Sequence, residues 1–71
     1  MAMTYRCTED ELDSLDAELL RRFRAQVARC GAVFGSDEEL IRGINRSSDP
    51  RLRRLHITPM RRWVELMERG A

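Results

Sequence analysis

Thr8-Glu9-Asp10-Glu11-Leu12-Asp13-Ser14-Leu15-Asp16-Ala17-Glu18-Leu19-Leu20-Arg21-Arg22-Phe23 is the stretch on which the fold turns. Thr8 followed three residues later by Glu11 has the form of a capping box, in which the threonine hydroxyl accepts from the backbone N–H of Glu11 and the glutamate reaches back. At 100° per residue Leu12, Leu15, Leu19, Leu20, Phe23, Val27 and Cys30 fall within an arc of about 140°, an amphipathic stripe. Gly31 supplies the stop. The spacing therefore predicts one long helix from Thr8 to Cys30. Asp16 lies near the middle of the stripe, where a carboxylate must reach the rim or meet an arginine.

Downstream, the punctuation repeats. Gly31-Ala32-Val33-Phe34-Gly35 reads as a loop whose two large apolar side chains fold back over the core. Ser36-Asp37-Glu38-Glu39 is a second capping box, opening a helix that buries Leu40, Ile41 and Ile44. Asp49 with Pro50 starts a short third element carrying Leu52 and Leu55, and Thr58 with Pro59 starts a last helix running to Gly70. That helix carries Met60, Trp63, Val64, Leu66 and Met67, expected as core and, if another chain completes the core, as a partner patch. No segment alternates with period two, so the fold class is all-α. The expectation is a single helical domain over 1–71, with a long N-terminal helix, two or three shorter ones and a loosely packed segment 1–7.

A chain of 71 residues buries a smaller share of its surface than an ordinary domain. That limit favours further burial against a second copy or another protein. The stripe of the first helix is the natural surface for it, with Leu12, Leu15, Asp16, Leu19 and Phe23 as candidate partner-binding residues. The expected function is that of a small regulatory or adaptor protein acting by protein–protein interaction, self-associating as a homodimer.

Catalysis finds little support. There is one histidine and no lysine, no glycine-rich phosphate loop, and no Cys/His spacing suited to zinc. His56 falls in a turn, where it reads as a surface or capping residue. No cofactor, metal or small-molecule substrate is expected. Cys7 and Cys30 sit at the two ends of the first helix, about 34 Å apart at 1.5 Å per residue, too far for an intrachain disulfide. No apolar run is long enough to span a membrane and the first residues lack a signal-peptide core, so the expected compartment is the cytoplasm.

Charge is the more informative signal. Thirteen basic residues against twelve acidic give a net +1, so no global attraction to nucleic acid or membrane follows. The first two predicted helices begin acidic and end with arginines, matching the macrodipole. The C-terminal third reverses this pattern. Arg51, Arg53, Arg54, Arg61 and Arg62 include no acid among them and fall largely in first turns, where cations are unfavourable and an anion is expected. Two sources are open. One is internal: Glu9, Asp10, Glu11 and Asp13, or Asp37, Glu38 and Glu39. The other is phosphate, with the last two elements arranged as a nucleic-acid-binding helix-turn-helix.

Overall fold

Asp16 divides the expected first helix in two. The computed structural model describes residues 7–70. In it α1 spans Glu9–Asp13 and α2 spans Ala17–Arg29. The Asp16 backbone is extended, and its Oδ1 accepts from the Leu19 N–H at 2.7 Å. The long N-terminal helix is thus corrected to a short helix, a three-residue break and a 13-residue helix. A carboxylate inside an apolar stripe would lose its hydration without a partner. As an N-cap it stays exposed and satisfies one of the orphan amides of α2. The straight-helix separation of Cys7 and Cys30 lapses with the break, and both remain free thiols.

The remaining elements are α3 (Asp37–Arg46), α4 (Pro50–Arg53) running into a 3-10 turn (Arg54–His56), and α5 (Met60–Glu68). No strand occurs among the described residues. Both expected N-caps ahead of α1 and α3 form: Thr8 Oγ1 accepts from Glu11 N at 3.1 Å and Ser36 Oγ from Glu39 N at 3.2 Å. The return arms differ from the expected reciprocal pattern. Glu39 accepts from Gly35 N, and Glu11 reaches across the fold to accept from Met60 N at 3.2 Å. That second bond replaces the predicted Thr58 cap. The N-cap of α5 is Pro59, which makes no side-chain cap bond, and the carboxylate of α1 serves the positive end of α5 instead.

The end of α2 follows expectation. Gly31 takes a φ of +84°, with Gly31 N donating to Ala28 O and Ala32 N to Val27 O, the two bonds of a Schellman motif.

With the chain broken at Asp16, α2 packs on α5, α1 on α3 and α3 on α4. Phe23 and Trp63 meet edge to face with ring centroids 5.5 Å apart, and neither ring has any exposure. Trp63 Nε1 donates to the Arg51 carbonyl at 2.8 Å. Around this pair lie Leu12, Leu19, Val27, Ile44, Leu52, Leu55, Met60 and Val64, all buried. Arg22 grips Glu68 with two hydrogen bonds on the rim, closing α2 onto α5.

Two loop expectations need correction. Phe34 does fold back, onto Gly43 of α3, where an added Cβ would come within 2.3 Å of the ring. Val33 instead stands 86% exposed. Of the segment 1–7, residues 1–6 lie outside the described residues. Cys7 is buried against the core, with its carbonyl accepting from Asn45 Nδ2 at 3.0 Å, and is not loosely packed.

Two measurements check these assignments. Asp16→Ala removes the α2 cap and lowers stability in urea by about 1 kcal/mol, while Asp16→Asn holds it near the wild-type value. In a continuous helix the alanine variant would be more stable than the wild type. Burial, with the nearby Glu11 charge adding to it, pushes the Cys7 thiol up to about 12. Mass spectrometry of the folded chain after brief iodoacetamide treatment is therefore expected to show Cys30 alkylated well before Cys7, and urea is expected to abolish the difference.

Candidate functional site

The five residues expected to bind a partner are not gathered on a surface. Leu12, Leu19 and Phe23 are at most 4% exposed and belong to this chain's own core. Leu15 is half-buried beside it and Asp16 caps α2 from the exposed side. A partner seated on Leu12, Leu19 and Phe23 would have to displace α5 and α3.

The arginine segment is placed differently. Asp49 caps α4 through its Oδ1, which accepts from Arg51 N at 2.8 Å, and its Oδ2 accepts from Arg51 Nη2 at 2.9 Å. The Arg51 guanidinium beside it holds the Asp49 carboxyl down at about 2. The sign is that of a depressed carboxylate: its contribution is present at neutral pH and is lost as pH falls toward about 2. Arg51 is therefore neutralised by its own helix cap, and its backbone carbonyl holds the Trp63 indole.

Arg53, Arg54 and Arg61 are exposed and make no ion pair among the described residues. Arg62 has a carboxylate only at 4.0 Å, from Glu65 on its own helix. The acids expected to meet these arginines are engaged elsewhere. Asp37 pairs with Arg24, Glu38 with Arg42 at 2.8 Å, and Glu11 and Glu39 accept from backbone amides. Glu9, Asp10 and Asp13 are exposed on α1, and no arginine of the segment reaches them.

The turn between the two arginine pairs carries a large apolar residue at the surface. Ile57 is 62% exposed. It lines a notch of about 330 Å³ with Asn45, Ser47, Arg53 and His56. The consecutive stop and start signals at His56-Ile57-Thr58-Pro59 are the one hint of this, since a residue inside a tight turn has little freedom to point inward. Arg61 lies four residues beyond Ile57, so even a fully extended chain keeps their Cα atoms within about 15 Å. Of the two arginine pairs, Arg53 lines the notch with Ile57, and Arg54, Arg61 and Arg62 are its neighbours along the chain.

A second, smaller cavity of about 160 Å³ opens between α2 and α3, lined by Val27, Ala32, Val33, Phe34 and Leu40. Among the described residues no three His, Cys, Asp or Glu side chains converge as metal ligands, and no helix is long and apolar enough to cross a membrane. Comparison with protein-family models, with curated proteins and with solved structures finds no match for this chain, so its function is argued from its own residues.

Proposed function

We propose that the chain is a small adaptor that acts by protein–protein interaction, gripping an acidic, partly apolar segment of another protein with Arg53, Arg54, Arg61 and Arg62 around Ile57. The observation that supports this is the unmatched charge. Among the described residues Arg53, Arg54 and Arg61 make no ion pair and Arg62 has a carboxylate only at 4.0 Å, and a large exposed isoleucine stands between the two pairs in the chain. Exposed ion pairs contribute only about 0 to 1 kcal/mol each, so charge alone gives a weak, salt-sensitive grip. Ile57 provides apolar contact that salt does not screen. A second copy docking through the same patch would set arginine against arginine, as a two-fold contact requires. The partner is therefore a different chain, or a different face of this one.

A second reading has one observation in its favour. Pro50–His56, the turn 57–59 and α5 follow one another as two helical segments about a tight turn, and Arg61 and Arg62 open the second, as in a helix-turn-helix that contacts phosphates. The near-neutral net charge weighs against it.

The two readings part at Ile57. Titration with a peptide of alternating Glu and Leu, followed by fluorescence anisotropy, is expected to weaken about tenfold on Ile57→Ser and about as much on Arg61→Glu with Arg62→Glu. The indole N–H resonance of Trp63 reports whether each variant is folded. Tighter binding to duplex DNA than to the peptide, indifferent to Ile57→Ser and falling steeply with salt, would replace the adaptor reading by the nucleic-acid one.

A further inference from the structure

The notch beside Ile57 has the chemistry of a receptor for one small anionic group. Arg53 lines it with a guanidinium that no carboxylate of the described residues engages, and no acidic side chain of those residues is among its walls. Ser47 Oγ already accepts from Asp49 N at 3.0 Å, which leaves its hydroxyl proton free to donate. His56 offers a ring N–H in either protonation state. Three donors of different types thus converge on a space large enough for more than a bare ion.

Two further features set the charge and the neighbour of that ion. The notch borders the C-terminal end of α3, where Asn45 is next to last in the helix and Ser47 is its C-cap. The carbonyls there carry the negative end of the helix dipole. One permanent cation against that field favours a singly charged carboxylate over a doubly charged phosphate. Asn45 gives its Nδ2 to the Cys7 carbonyl, while its Oδ1 is buried and has no hydrogen-bond partner among the described residues. An orphaned acceptor carries the cost of its lost hydration, and a small rotation toward an N–H donor would recover it. Ile57 adds an exposed apolar wall.

A carboxylate with an amide N–H one carbon away and an apolar side chain beside it is the end of a polypeptide chain. The geometry points to the Asn45–Ser47–Arg53–His56–Ile57 notch as a site for the C-terminal carboxylate of a partner polypeptide whose last residue is apolar. In that arrangement Arg53, Ser47 and His56 hold the carboxylate, Asn45 turns its Oδ1 to the last amide N–H, and Ile57 packs on the terminal side chain. The inference rests on the adaptor reading and names the part of the partner that is recognised.

N-acetyl-leucine carries all three features, and N-acetyl-leucinamide lacks only the charge. Titrating each into the full chain, with NMR of the Arg53 Nε–H, the Asn45 side-chain amide and the His56 ring, is expected to give saturable shifts of all three groups with the acid and none with the amide. Arg53→Gln is expected to weaken the acid about tenfold, the scale of one lost charge-assisted hydrogen bond. Arg53 is exposed and unpaired, so the Trp63 indole resonance is expected to stay in place. Equal shifts with acid and amide, no saturation with the acid, or tighter binding of inorganic phosphate would overturn the assignment. Binding of the Glu–Leu peptide that survives Arg53→Gln, alongside no response to N-acetyl-leucine, would sink this site while leaving the adaptor reading standing. N-acetyl-leucine binding without peptide binding would do the reverse.

Discussion

The placement of Trp63 is the constraint on which the other elements depend. Its ring is fully buried and meets Phe23 of α2 edge to face, and its N–H is held by the Arg51 carbonyl of α4. A buried indole needs a partner for that N–H, and leaving it unmade would cost about 1 to 3 kcal/mol. The requirement orients α4. Four residues are too few to hold a helix in isolation, so Pro50–Arg53 persists because Asp49 caps it, Leu52 is buried, and the indole holds the Arg51 carbonyl. The arginines of α4 and its 3-10 turn face solvent as a result, since Leu52 and Leu55 occupy the inward positions. The surface proposed to bind a partner is thus aimed by a residue that takes no part in binding.

Much of this fold was legible in the residues. Thr8, Ser36 and Asp49 cap the helices they were expected to cap, Gly31 ends α2, and the apolar positions of α3 and α5 are buried, except Leu66, which is only half-buried. Each of these signals is local, so a single chain suffices to read it. Asp16 was harder because two local patterns compete for it. Periodicity carries a helix through the residue, whereas capping stops one there, and both fit Ser14-Leu15-Asp16-Ala17-Glu18. Burial decides the outcome. A continuous helix would carry an unpaired carboxylate in its apolar face, at a cost above the roughly 1 kcal/mol an N-cap contributes. Glu11 was illegible for a different reason. Its partner, Met60 N, lies 49 positions away, and nothing in the local pattern of either end announces the other.

Charge shows the same division. The acidic starts and basic ends of α2 and α3 are readable from order alone. The expectation that the acids of α1 and α3 would neutralise the C-terminal arginines depended on where those elements go. They go elsewhere: α3 turns Asp37 toward Arg24 of α2, and Glu38 toward Arg42 one turn along its own helix. The exposed position of Ile57 was equally hidden, because an isoleucine carries the same apolar signal whether a turn points it inward or out.

The break at Asp16 also bears on whether this chain needs a second copy of itself. A continuous helix would present its stripe along one straight line, more than three short elements could cover, and would leave apolar surface for a second copy. Once the chain breaks after α1, α1 packs on α3 and α2 on α5, and Leu12, Leu19, Phe23 and Val27 are all buried within one chain. The stripe is divided between two partners of suitable length. The surface proposed for a partner is one the core does not use, carrying the exposed Ile57, Arg53, Arg54 and Arg61, and Arg62 with Glu65 at 4.0 Å. A surface of that composition favours an acidic stranger over an identical twin, because the charge that repels a second copy is the charge that attracts a carboxylate.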